Sequence, residues 1–222
     1  MKKILILTLL LLGFRGSFAQ RIRVIENFSV TYGFEKSTYV PSIMYGQSLV
    51  LGGKYAFAVG TGFRLTSFFT AGNAFKGLES SNTRVSFTPY PRANANALNV
   101  PLMLEFRTSK IVIGANFDIV GLAFGKRKDS LTVYNKSGLV LDTLNAKPTR
   151  YNLGLGQRGT TNNEIYIGFR PQEELTIKVG LSMIFSQYDA RYRRNRKDVP
   201  FGRFGYESPL LPFISVVFNF ER

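Results

Sequence analysis

Six charged residues stand inside stretches that otherwise alternate bulky apolar with small side chains: Arg64, Glu105, Arg107, Asp118, Arg170 and Lys178. Brought together, two carboxylates and four cations could form a buried ion network or line a path for protons or ions. Taking a charge out of water costs several kcal/mol per ion, so enclosed charges must be paired or hydrated. Mixed signs meet that need without any transport, which makes a structural plug the favoured reading. A second concentration is Arg191-Tyr192-Arg193-Arg194-Asn195-Arg196-Lys197. Guanidinium forks suit carboxylate and phosphate oxygens, so Arg191, Arg193, Arg194, Arg196 and Lys197 are the candidate contacts for an anionic surface. A solvated loop is the plainer reading of the same run, and the favoured one.

Other chemistry is absent from the composition. The chain has no Cys and no His, which removes disulfides, thiolate metal sites, cysteine nucleophiles and the commonest general base. Gly60-x-Gly62 and Gly154-x-Gly156 lack the strand-to-helix setting of a phosphate loop. No catalytic residue, cofactor or metal is expected.

The elements that hold the six charges alternate with period two, the mark of strands. Eight such segments are legible. In the clearest, Tyr55, Phe57, Val59, Thr61, Phe63 and Leu65 share one face, and Ala56, Ala58, Gly60, Gly62, Arg64 and Thr66 the other. The remaining segments begin near Phe28, Ile43, Leu98, Ile111, Ile165, Leu175 and Ile214. Tight connections at 52–54, 108–110 and 171–174 alternate with others at 37–40, 67–97, 125–162 and 188–209. Short turns on one side and longer loops on the other fit an up-and-down barrel of the outer-membrane type. Within the third long loop, residues 131–134 and 139–144 alternate again and predict a hairpin.

Two barrels fit alternating strands, and they are opposites. A lipocalin-like barrel encloses its apolar face, whereas a membrane barrel exposes it. The six charges all fall on the face of small residues, in a number too low for a solvent-washed surface. The expectation is therefore an all-β, eight-stranded antiparallel transmembrane barrel with a narrow lumen filled by side chains.

The N-terminus is consistent with export. Met1-Lys2-Lys3 is followed by an apolar run over 4–12 and by Ser17-Phe18-Ala19 before Gln20. This is the pattern of a cleaved secretory signal, too short for a helix that spans a membrane. The expected organisation is a signal peptide at 1–19 and a barrel domain at 20–222. The formal net charge of +15 implies anionic partners, and export argues against nucleic acid among them.

Leu98-Asn99-Val100-Pro101-Leu102-Met103-Leu104-Glu105-Phe106, a tight turn, then Ile111-Val112-Ile113-Gly114-Ala115 resembles a segment of the PorT-like outer-membrane β-barrel proteins of the Bacteroidota. The Gly-rich third strand and the final strand around Ile214, Val216, Phe218 and Phe220 are similar too, although Glu221 and Arg222 follow the last Phe. The resemblance implies an eight-stranded barrel inserted by the outer-membrane assembly machinery; most members of that family have no assigned role, and no activity is carried over from it. Outer-membrane lipid, that machinery and an anionic glycan or lipopolysaccharide are the expected partners. The expected role is structural or surface-binding, with a narrow pore for small solutes as the alternative. Oligomeric state is not legible.

Overall fold

The computed structural model describes residues 22–70, 74–78, 83–86, 95–126, 128–135, 140–154, 158–194 and 197–221. The segment expected to direct export lies outside them. The strands are β1 (Ile22–Glu35), β2 (Thr38–Gly52), β3 (Ala56–Thr70), β4 (Ala74–Gly77), β5 (Thr83–Ser86), β6 (Ala95–Arg107), β7 (Ile111–Phe124), β8 (Lys128–Asn135), β9 (Val140–Pro148), β10 (Tyr151–Leu153), β11 (Thr160–Gln172), β12 (Leu175–Arg194) and β13 (Lys197–Glu221).

Eight of these close a barrel. In order round the ring they are β1, β2, β3, β6, β7, β11, β12 and β13, with β13 returning to β1, and every pairing is antiparallel. The closing seam matches like with like: Phe28 faces Phe218 and Val30 faces Val216. Closure leaves the barrel no unpaired edge. The turns at 53–55, 108–110 and 173–174 gather at one end, where β1 starts and β13 finishes. At the β2–β3 turn, Gly52 has φ +121°, a backbone conformation that a side chain disfavours.

The other end departs from the sequence reading. The connection expected at 37–40 is a two-residue turn, because Thr38 already pairs with Glu35 and Val40 is buried in β2. The long connection expected at 188–209 is largely strand, and the one expected at 67–97 is shortened at both ends. β3 runs to Thr70, β6 starts at Ala95, and β12 pairs with β13 out to Arg194 opposite Lys197. The predicted hairpin is present as β8 and β9, with Leu131 opposite Leu144. The outer strands then make a second closed ring, β12–β9–β8–β5–β4–β13, which shares the β12–β13 pair with the barrel.

The faces sort as expected. Within β3, Phe63 is 61% exposed while its neighbour Arg64 is 1% exposed. Phe57, Leu104, Ile113 and Val179 also point outward, and Ser29, Ser48, Thr66, Asn116, Lys178 and Ser215 are buried. Aromatic rings cluster on the exterior at both ends. Phe106 stacks on Tyr55 at 6.4 Å and meets Phe57 edge-on at 5.3 Å near the turns. Tyr32 lies 6.0 Å from Phe34 and 6.3 Å from Tyr39 at the opposite rim.

The interior is not uniformly polar. Towards the outer strands Phe68, Ile184, Tyr188, Phe204 and Leu211 form a buried apolar cluster. Tyr206 packs against it, with its ring 5.3 Å from that of Phe68. The polar stretch of the lumen is centred on the middle of the barrel, and a smaller buried apolar cluster of Ile25, Val50, Ala56 and Ala58 lies towards the turns.

Candidate functional site

Five of the six charges singled out in the sequence meet inside the barrel, in two linked groups. Arg64, from β3, faces two carboxylates. Its Nε donates to Asp118 Oδ1 at 3.1 Å, its Nη2 also contacts that carboxylate and the Asn162 carbonyl, and its Nη1 lies 2.9 Å from Glu164 Oε1. Asp118 Oδ2 accepts from Asn99 Nδ2 at 2.5 Å and from the Asn162 N–H at 2.7 Å. Asn99 in turn accepts from Asn152 Nδ2 at 2.7 Å, and Asn152 Oδ1 accepts from the Thr160 N–H at 2.8 Å.

In the second group Glu105 is the centre. Its Oε1 accepts from Lys178 Nζ at 2.7 Å and from the Tyr166 hydroxyl at 2.7 Å. Its Oε2 lies 2.6 Å from Arg107 Nε and 2.5 Å from Arg107 Nη2. Lys178 Nζ also sits 4.1 Å from the centre of the Tyr166 ring, a favourable cation–π position. Asn116 joins the groups: its Nδ2 donates to Glu164 Oε2 at 2.8 Å, and its Oδ1 lies 3.3 Å from the Tyr166 hydroxyl.

Local sequence explains how the charges converge. β7 departs from its partner β6 between Val100 and Pro101, where Pro101 pairs with Asp118 and Val100 with Val120. The extra residue is Ile119. Asp118 keeps the inward parity of Val112 and Asn116, and past the bulge Val120, Leu122 and Phe124 face outward. Unbroken alternation from Ile111 would set Ile119 on the outer face and Val120 on the inner one. Gly114 makes room for the second group, since a Cβ there would lie 2.8 Å from both the Tyr166 hydroxyl and Glu105 Cγ, and 2.7 Å from the Leu104 carbonyl.

Arg170 is a correction. It lies outside the network and binds backbone at the turns, with Nη2 3.2 Å from the Glu173 carbonyl and Nη1 3.5 Å from the Thr108 carbonyl. Its place near the end of β11 leaves it nearer those carbonyls than the enclosed carboxylates. Two ionisable members of the network were missed. The sixth segment was read from Ile165, whereas β11 begins at Thr160, so Glu164 fell between the loop at 125–162 and that segment. Tyr166 sat visibly on the small-residue face but bears no formal charge. With Glu164 included, three cations (Arg64, Arg107, Lys178) meet three carboxylates (Glu105, Asp118, Glu164), all buried. Each carboxylate is held by a cation, and the charges balance over the network as a whole.

The basic run belongs to the outer β12–β13 hairpin. Arg191 is exposed, Arg193 stands opposite Asp198 and Arg194 opposite Lys197, while Arg196 lies outside the described residues. The run is therefore carried largely on paired strands and not on the loop read from sequence.

No family model matches the chain, and no curated protein does. Among solved structures it is similar to a chain described under "Asymmetric conductivity of engineered proteins", at 11% identity over 91% of this chain and 100% of that one, with a TM-score of 0.13. It is also similar to a mutant of Rh. blastica porin, at 11% identity over 90% of this chain and 100% of that one, with a TM-score of 0.11. At such scores the architecture stands on the chain's own strand pairings.

Proposed function

We propose that the chain is an outer-membrane barrel protein with a closed lumen and a structural or surface-binding role, exported by the segment at 1–19 and related to the PorT-like proteins. The inverted distribution of side chains carries this reading. A belt of exposed Phe, Leu, Ile and Val far exceeds what a soluble monomer leaves in water, while ion pairs fill the place of a core. Strands of 13 to 15 residues in the shorter barrel members exceed the roughly 9–11 residues that a tilted strand needs to cross a bilayer. Aromatic rings near both rims suit the two water–lipid boundaries. The basic outer hairpin supports contact with lipopolysaccharide phosphate or an anionic glycan.

The test is recovery in an outer-membrane fraction with migration on a gel that shifts on heating. Recovery in the soluble periplasm without detergent would end the membrane reading. A narrow pore is the competing role, and planar bilayers separate the two. The closed-lumen reading predicts no stable channel from the native chain and a leak from the Arg64→Ala, Glu105→Ala double variant. Steady unitary conductance from the native chain would favour the pore.

A further inference from the structure

The turn-side mouth of the barrel opens into a cavity of about 510 Å³. Arg23, Lys54, Arg107 and Arg170 line it, against Glu173 and Glu174. The network beneath adds to this imbalance. Its deeper group sets one cation, Arg64, against Asp118 and Glu164, whereas its mouth-side group sets Lys178 and Arg107 against Glu105 alone. Negative charge is in surplus inside, and positive charge at the mouth.

Two guanidinium groups there have hydrogen-bonding capacity to spare. Arg107 is 6% exposed, with Nε and Nη2 committed to Glu105 and Nη1 buried without a hydrogen-bond partner among the described residues. Arg170 gives Nη1 and Nη2 to backbone carbonyls, and its Nε is likewise buried without a partner. A buried N–H left unpaired costs the full desolvation of that group, and the shape of arginine favours oxyanions. The far wall is apolar, built from Ile25, Val50 and Ala56.

We propose that this mouth is a binding site for a small oxyanion, a phosphate or carboxylate group carried on a short apolar body. The guanidinium groups of Arg107 and Arg170 hold the anion, Arg23 and Lys54 supply attraction from the rim, and Ile25 and Val50 face the body. A soluble phosphate ester and an anionic lipid headgroup present the same chemistry. The site is independent of the outer hairpin and of whether the lumen conducts.

The experiment titrates phenyl phosphate and inorganic phosphate into the refolded 20–222 chain in neutral detergent, read by calorimetry. Saturable binding of phenyl phosphate is expected, tighter than that of inorganic phosphate and weakened by added salt. Arg170→Gln weakens it roughly tenfold, the loss of one charge-assisted contact. Glu173→Gln strengthens it by removing a competing anion, a gain that loss of packing does not produce. Lys54→Gln, on an exposed side chain, gives the weakening arm if Arg170→Gln fails to refold. Displacement by nanodiscs of phosphatidylglycerol, and not of phosphatidylcholine, assigns the site to a headgroup; no displacement assigns it to a soluble ester. Absence of saturable binding, or affinity unchanged in the charge variants, overturns the proposal.

Discussion

Arg64 bridges Asp118 and Glu164 across the lumen, so its removal leaves two buried carboxylates facing one another. Breaking such a pair from one side costs about 3–5 kcal/mol. Arg64→Ala is expected to lose that much in equilibrium unfolding from detergent micelles by urea, and a loss below about 1 kcal/mol would contradict the geometry. Tyr166→Phe removes one donor to Glu105 and leaves Lys178 and Arg107 in place. A hydrogen bond to a charged group contributes about 1.5–3 kcal/mol, so the same assay should show a smaller loss than for Arg64→Ala. At this scale the sequence was informative wherever a charge stood inside a clean alternation, as at Arg64, Glu105, Arg107, Asp118 and Lys178. It was silent on Glu164, which precedes the alternating stretch of its strand. It misdirected on Arg170, because parity gives a residue's face but not its height in the barrel.

At the scale of elements, the period-two pattern specified eight strands and their faces because the outside and the lumen of a barrel impose opposite demands on successive residues. It did not reveal the bulge at Ile119, where an extra residue leaves the composition apolar and only the parity shifts. Nor did it reveal the outer ring, whose strands β4 and β5 have four residues each, too short to show a period. Gly114 tests how an element shapes the site. Gly114→Val would press on the Tyr166 hydroxyl, on Glu105 Cγ and on the immobile Leu104 carbonyl. It is expected to destabilise the chain by about 1–3 kcal/mol, the usual cost of overpacking, and to cost less in a Tyr166→Phe background, where the contacts with Glu105 and the Leu104 carbonyl remain. Urea unfolding of the two single variants and the double variant measures the coupling. Gln substitution of Arg191, Arg193, Arg194, Arg196 and Lys197 together should leave unfolding unchanged and reduce co-sedimentation with lipopolysaccharide vesicles. Undiminished sedimentation would return the hairpin to a solvated role.

For the whole molecule the decisive property is that the barrel is turned inside out relative to a soluble one. Side chains that would form a core face outward, and the charges are enclosed and balanced three against three. The absence of Cys makes this directly measurable, since a single introduced thiol carries a spin label at a chosen face. With the chain reconstituted in bilayers, labels at Phe63→Cys, Ile113→Cys and Val179→Cys should be relaxed strongly by oxygen, which concentrates in lipid, and weakly by a water-soluble nickel chelate. Labels at Ser48→Cys, Thr66→Cys and Ser215→Cys should be shielded from oxygen. The reverse pattern, with the first three positions shielded and the second three open to lipid, would contradict the account.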